Sequence, residues 1–193
     1  AIMECFSLLR SDVPALIDYL GDFGEVIAPH GKGDVSYSFE VVRDSSDVVL
    51  DYTRTLLPLK KMFLPPVEKL MGFSLKNGSY EQEDVIVAPR VFFGVHSYEM
   101  QSILRLDHSM LSGSAESNYF KRRQSSRFVG ISFEPDEFHF SESVGVVIEE
   151  MEGFDLFLNE VDGDFQLYVL TDSGQGMLNG FDKINLTEPE IVE

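Results

Sequence analysis

The spacing of apolar residues along the chain predicts several helices. Apolar side chains recur at helical intervals over residues 12–20, which predicts a first helix. The same spacing predicts a long helix over 97–111 and shorter ones over 116–123 and 173–178. Pro66 is expected to open one more short helix, because proline is well tolerated in a first helical turn. The inward residues of that helix would be Val67, Leu70 and Met71.

Strands are predicted wherever β-branched and aromatic residues cluster or alternate with polar ones. There are eight such stretches, at residues 25–28, 35–41, 85–87, 91–95, 127–133, 144–148, 155–159 and 165–171. Helices and strands are interspersed, which favours an α+β fold: a mixed sheet with helices packed against it, in a single compact domain. We assign residues 1–182 to this domain and expect residues 183–193 to form an acidic, loosely held tail.

Charge is unevenly distributed along the chain. The 193 residues carry a net charge of −18, of which −14 lies in residues 136–193. Such an acidic stretch repels phosphates, so no nucleic-acid partner is expected. No uncharged apolar run approaches the roughly 18 residues of a membrane span, and no signal peptide is evident, so neither membrane insertion nor export is expected. The expected location is the cytoplasm, with the acidic face most simply explained as a solvated surface.

Few residues offer metal or catalytic chemistry. Cys5 is the one cysteine, so neither an intrachain disulfide nor a four-cysteine metal site within one chain is possible. A carboxylate–imidazole pair, Glu137 and His139, could form a hard-metal site with Glu99 or His96. Scattered surface residues explain the same pattern more simply, because no two histidines have the spacing of paired ligands. No catalytic residue is predicted, and activity of the chain's own is not expected.

The densest positive patch consists of Lys121, Arg122, Arg123 and Arg127. Guanidinium groups bind phosphates and carboxylates well, so an anion site is one interpretation. The favoured interpretation is structural: cations at a helix C-terminus complement its dipole and pair with the abundant acids. We expect Arg122 and Arg123 to form such ion pairs.

Several sequence blocks, read together, resemble one protein family. Residues 54–70 read RTLLPLKKMFLPPVEKL, and FGVHSYE, NYFKRR, GISF, HFSESVG and GFDL follow at 93–99, 118–123, 130–133, 139–145 and 153–156. These blocks are similar, in order, to those of the iron–sulfur β subunits of cytoplasmic hydrogenases and sulfhydrogenases and of the anaerobic sulfite reductase A subunit. The resemblance covers residues 26–178 and implies an α+β domain like the N-terminal half of those electron-transfer subunits.

The cysteines of the family pattern are missing from this chain. The resemblance puts Tyr98, Phe133, His139 and Ser141 at those positions, and it implies that they once held cluster ligands. No cofactor is therefore expected in this chain. The resemblance also places Arg122 and Arg123 at an arginine pair of the family, so we expect their ion pairs to anchor the helix beside the former cluster pocket. If the resemblance holds, these residues should converge on an apolar plug, helped by Phe93, Phe138 and Phe140, with a hydrogen-bonded Tyr98 hydroxyl.

Three functions remain open at this point. The favoured one is a cluster-free interaction or assembly module, whose partners are protein subunits of an anaerobic redox complex of the hydrogenase or sulfite reductase kind. The second is the N-terminal part of an electron-transfer subunit whose ferredoxin-like half is not in this chain. The third is a metal-binding protein that uses His139, Glu137 and Glu99.

Overall fold

A mixed eight-stranded sheet forms the centre of the protein. The computed structural model describes residues 2–82, 85–139, 143, 145, 147 and 150–190. The strands that form the sheet and a separate hairpin are β1 (Glu4–Leu8), β2 (Glu25–Gly31), β3 (Tyr37–Val41), β4 (Met71–Phe73), β5 (Tyr80–Gln82), β6 (Arg90–Val95), β7 (Ser126–Ile131), β8 (Leu156–Val161), β9 (Asp164–Val169) and β10 (Asn185–Leu186). The central sheet has the order β10-β1-β9-β8-β7-β6-β2-β3, and β4 and β5 pair only with each other.

Four α-helices pack against the sheet, in agreement with the predicted fold class. They are α1 (Val13–Leu20), α2 (Ser97–Leu111), α3 (Ser117–Gln124) and α4 (Asp172–Leu178). Thr171 caps α4 by accepting a hydrogen bond from the Gly174 amide, and the Glu116 carboxylate caps α3 in the same way. Within the described ranges, no helix is long and apolar enough to cross a membrane.

The sheet buries a separate hydrophobic cluster on each face. The neighbours β2, β6, β7 and β8 run parallel, which places their carboxyl ends at one edge of the sheet. One face packs against α1 and α4, and Leu16 and Met177 lie in its core. The other face packs against α2, α3 and the segment 52–63, and Phe63 and Phe92 lie in its core.

A bulge at Gly94 reorients the chain where β6 ends. Phe93 belongs to the first core and Val95 to the second, because the register shifts between them. Residues two positions apart in a regular strand would share one face. Gly94 has φ +75°, and a Cβ there would lie 3.2 Å from Pro29 Cδ. The bulge therefore requires glycine, and it turns the chain toward the side of the sheet that carries α2. Because Phe93 faces the opposite core, the expectation that it helps a plug beside Tyr98 is wrong.

Two of the predicted elements are absent. The helix predicted after Pro66 does not form: Val67, Leu70 and Met71 are 88%, 58% and 60% exposed, so no apolar face is buried to stabilise one. Residues 85–87 are not a strand, because no neighbouring strand pairs with them. Most of the strand predicted over 144–148 lies outside the described residues.

Part of the acidic tail is attached to the sheet. In β10, Leu186 pairs with Phe6 of β1, and the Thr187 amide donates to the Cys5 carbonyl. Buried Gln166 donates to the Glu188 carbonyl and accepts from the Glu190 amide. The expectation of a loosely held tail is therefore wrong for residues 185–190: the open edge of β1 pairs with residues 185–187, and Gln166 of β9 binds the backbone of Glu188 and Glu190.

Candidate functional site

Five ring side chains meet at the carboxyl edge of the parallel strands. His96 and Tyr98 follow β6 directly, and Phe133 lies two residues after the end of β7. Tyr52 and His139 join them from two loops. We call these five residues the aromatic cluster. Loops at this edge carry the ligand sites of most parallel α/β sheets, so the location alone marks a candidate site.

The aromatic cluster is built around the imidazole of His96. That ring is stacked on Tyr52 at 4.0 Å between centroids and on Phe133 at 4.2 Å, with interplanar angles of 7° and 14°. Tyr98 closes the side, with its ring 5.6 Å from Phe133 and 4.9 Å from His139. The predicted convergence of Tyr98, Phe133 and His139 is therefore confirmed. Ser141 and Phe140 lie outside the described residues.

His96 is a buried polar side chain whose ring nitrogens make no hydrogen bond to the described residues. It is 0% exposed, and neither ring nitrogen has a hydrogen-bond partner in the part of the chain that the structure describes. Burial, reinforced by the nearby charge of His139, lowers the pKa of His96 to about 3. The imidazole is therefore neutral at physiological pH and serves as a flat ring between two others.

Two tyrosine hydroxyls attach the loop at residues 52–53 to this edge. Tyr52 donates to the Gly94 carbonyl at 2.6 Å, so it binds the carbonyl that the bulge exposes. Tyr98 donates to the Thr53 carbonyl at 3.3 Å, as expected for a buried phenol. Burial raises the pKa of both hydroxyls, so both remain protonated donors.

The three candidate metal ligands, Glu99, Glu137 and His139, lie in different environments. Glu99 is 5% exposed and accepts hydrogen bonds from the Leu59 amide at 3.0 Å and the Thr55 hydroxyl at 3.5 Å. Burial raises the pKa of Glu99 despite these donors. Glu137 is exposed, whereas the His139 ring packs on Tyr98 and Phe133. Among the described residues, no three His, Cys, Asp or Glu side chains are grouped to hold a metal ion.

The arginines of the basic patch form the expected ion pairs. Arg122, 11% exposed, pairs with Glu68 and donates to the Phe63 carbonyl at 3.2 Å. Arg123 Nε lies 2.9 Å from Asp107, and its guanidinium stacks over Phe128. Arg127 donates to the carbonyls of residues 124 and 126, and Lys121 is half-buried.

These pairs do not lie beside the aromatic cluster, which corrects the expectation that they anchor a helix there. The Ser126 hydroxyl at the start of β7 donates to the Arg122 carbonyl, so the patch lies at the amino edge of the sheet. The aromatic cluster follows the other end of this six-residue strand, about 17 Å away.

An acidic cleft of about 910 Å³ opens beside the aromatic cluster, with Tyr52 and Phe133 in its wall. Its carboxylates are Asp51, Glu134, Asp136, Glu160 and Asp162. Arg10 pairs with Asp51 at 3.1 Å and Glu160 at 2.8 Å, and Arg54 pairs with Asp136 at 3.1 Å. Much of the negative charge in the cleft is therefore neutralised by the chain itself.

The sequence did not identify Tyr52 as a site residue, because no motif includes it. Asp155 of the GFDL block also has a structural role. It accepts hydrogen bonds from the Phe128 amide at 2.9 Å and the Thr171 hydroxyl at 2.7 Å, which ties β7 to the start of α4.

Comparison with known proteins gives one informative relative. The chain is 36% identical over 148 residues to the β subunit of sulfhydrogenase 2 from Pyrococcus furiosus. The match covers 77% of this chain and 43% of the relative, so the chain spans less than half of that protein's length. No family model and no solved structure matches the chain. The resemblance seen in the sequence blocks is confirmed: the chain is related to the β-subunit family of hydrogenases and sulfhydrogenases.

Proposed function

We propose that this chain is a cluster-free relative of an iron–sulfur electron-transfer subunit and acts as an interaction or assembly module in an anaerobic redox complex. The observation that carries the proposal is the convergence of Tyr98, Phe133 and His139 into one packed group. The motif blocks align these three positions with cysteines of the family. Residues that held one cluster must lie within a few ångström of it, and these side chains do meet.

The donor set at these positions does not fit an iron–sulfur cluster. Iron–sulfur clusters are held by cysteine thiolates, with histidine as an occasional substitute, and a phenylalanine ring has no donor atom. Cys5 is the one cysteine of the chain, and it is buried in the core on β1. We therefore assign no electron-transfer step to this site.

In this proposal the rings replace a cluster as the structural centre of the edge. Large side chains at Tyr98 and Phe133 fill space that would otherwise be a destabilising cavity. The two tyrosine hydroxyls hold the loop at residues 52–53 to the end of β6. The edge then keeps a fixed shape that other subunits of the complex can recognise, without a redox centre of its own.

Restoring the cysteines tests the replacement directly. The variant Tyr98→Cys/Phe133→Cys/His139→Cys/Ser141→Cys is reconstituted anaerobically with iron and sulfide, and bound iron, sulfide and visible absorbance are measured. We expect a bound cluster, because the variant then carries thiolates at all four positions that the motif blocks align with cysteines of the family. The control carries four cysteines at exposed serines in four different parts of the chain (Ser7, Ser46, Ser79 and Ser112) and should bind none. Equal binding by both variants would contradict the proposal.

The assembly role is tested by co-expression with redox subunits encoded beside this chain. We expect a complex that co-elutes on size exclusion and that forms equally well when iron is withheld from the module. Failure of the chain to co-elute with every such subunit would contradict the assembly role but leave the cluster-free proposal untouched.

One observation favours a second candidate, the N-terminal part of a longer electron-transfer subunit. The matched stretch accounts for 43% of the Pyrococcus furiosus relative, which leaves more than half of that protein without a counterpart in these residues. The length of the encoded reading frame distinguishes the two. A frame that continues into two cysteine-rich motifs would favour this second candidate.

A further inference from the structure

The most exposed apolar region of the protein is a hairpin that stands apart from the central sheet. We call residues 67–82, which contain β4 and β5, the apolar arm. Six of its large apolar side chains are 58–90% exposed: Val67, Leu70, Met71, Phe73, Leu75 and Tyr80. Exposed apolar patches of this kind mark interaction sites in folded proteins.

Among the described residues, the firm attachments of the apolar arm lie at its base. Glu68 pairs with Arg122 at the amino edge, and Phe63 just before the arm is fully buried against Phe92 and Phe128. Beyond this base, β4 and β5 pair with each other alone. A two-stranded hairpin is at best marginally stable in water, so pairing with a further strand would stabilise the arm.

The two open edges of the hairpin differ in charge. The strand β4 consists of Met71, Gly72 and Phe73, and it carries no charge. The strand β5 contains Glu81, and a charged side chain protects an edge from pairing with a copy of itself. Of the two edges, β4 is therefore the one free to pair with an identical strand.

The net charge of the arm also indicates which kind of partner it can bind. The arm contains two lysines and two glutamates, so it is neutral in a chain of net charge −18. A neutral surface offers no attraction to an anionic membrane or to a strongly charged protein. Two copies of this chain repel each other least where their neutral arms meet.

We propose that two copies of this chain associate through their apolar arms, with the β4 strands paired antiparallel about a two-fold axis. A two-fold axis perpendicular to the two β4 strands makes them antiparallel, and with the axis at Gly72, Met71 of one copy lies opposite Phe73 of the other. The pairing extends each hairpin into a four-stranded sheet. A standard interface needs about 800 Å² from each partner, and six large side chains more than half exposed offer an area of that order.

Sedimentation velocity of the full chain over a range of concentrations tests this proposal. We expect a concentration-dependent dimer that persists in high salt, because the interface is apolar and neutral. The variants Met71→Lys/Phe73→Lys and Met71→Glu/Phe73→Glu should each be monomeric, because four like charges meet at the axis. An equimolar mixture of the two variants should form a heterodimer, because opposite charges then face each other.

The matched control is Leu9→Lys/Val35→Lys, which charges two apolar residues away from the arm that are also more than half exposed. It should dimerise like the unmodified chain, and circular dichroism should show that all variants melt alike when dilute. The proposal is overturned by a chain that stays monomeric at every concentration, or by a dimer that the arm variants leave intact. Binding of a monomer to phosphatidylglycerol vesicles, lost in the glutamate variant, would also overturn it.

Discussion

The aromatic cluster and the apolar arm depart from the usual burial of residue types in opposite directions. At the carboxyl edge, the polar residues His96, Ser97 and Glu99 are at most 5% exposed. On the arm, by contrast, Phe73 and Tyr80 are 65% and 73% exposed. A buried polar group lowers the stability of the fold, and an exposed apolar patch lowers solubility. Each therefore requires a structural or functional explanation. In our proposals, the first is a former ligand site packed with rings, and the second is a surface that binds another copy of the chain.

The largest predicted difference in stability is between two phenylalanines, one buried just before the apolar arm and one exposed on it. Phe63→Ala should lower the free energy of unfolding by about 3–5 kcal/mol, because a fully buried ring leaves a cavity among Phe92, Tyr119 and Phe128. Phe73→Ala should change it by less than about 0.5 kcal/mol in dilute protein, because that side chain is exposed. Urea unfolding measures both. A large loss for Phe73→Ala would mean that the arm packs on its own chain.

The buried imidazole predicts a dependence of stability on pH. The pKa of His96 is lowered from 6.5 to about 3 in the folded chain, so between these values only the unfolded chain binds a proton there. The free energy of unfolding should therefore fall as pH falls below 6.5, with His96 contributing about 1.4 kcal/mol per pH unit.

His96→Phe should remove this contribution while keeping the stacked ring. His108→Gln provides the control, because it removes an exposed imidazole and leaves His96 in place, so the slope that His96 contributes between pH 4 and pH 6.5 should persist. Equal slopes for the His96 variant and the unmodified chain would show that the imidazole is not buried in neutral form.

A smaller effect is expected at the ion pair that holds the base of the arm. Arg122→Ala leaves the partly buried carboxylate of Glu68 without its partner, so a loss of about 1–2 kcal/mol is expected, between the values for surface and buried pairs. Lys183→Ala removes a half-exposed charge 3.7 Å from Asp12 and should cost less than about 0.5 kcal/mol. Thermal melts of both variants measure these losses. Equal melting temperatures for the two variants would show that the Arg122–Glu68 pair does not anchor the base of the arm.

An effect of similar size is expected at the bulge that turns β6 toward the aromatic cluster. Gly94→Ala places a Cβ at φ +75° and 3.2 Å from Pro29, and should cost about 2 kcal/mol. Gly78→Ala has φ +64° but open space around it, so only the backbone strain of about 1 kcal/mol applies. A cost for Gly94→Ala no greater than for Gly78→Ala would show that the bulge relaxes without affecting the edge.

Helices were predictable because their signal is local. The helix predicted over 97–111 has the bounds of α2, since the apolar period and the preceding extended residue act within a few turns. The hairpin of the arm was missed, because apolar residues at 67–75 read as a buried helix face when the sequence gives no hint of exposure. The strand Glu4–Leu8 was missed as well, since its pairing partners β9 and β10 lie more than 150 residues away.

The site was predictable only through the family resemblance. Composition and spacing alone gave no reason to group Tyr98 with Phe133 and His139, and it was the alignment with cysteine positions that brought them together. Tyr52 carries no motif, and the burial of His96 depends on two loops that pack over it. Such contacts arise from tertiary packing, which a single sequence does not encode in any local pattern.

The most direct test of the cluster-free proposal is the iron and acid-labile sulfide content of the unmodified chain after anaerobic reconstitution. Cys5→Ser serves as the control, because it removes the one thiol through which two chains could share a cluster. The proposal predicts no stoichiometric iron or sulfide and no visible absorbance in either protein. Stoichiometric iron and sulfide bound to the Cys5→Ser variant, with the absorbance of a cluster, would contradict it.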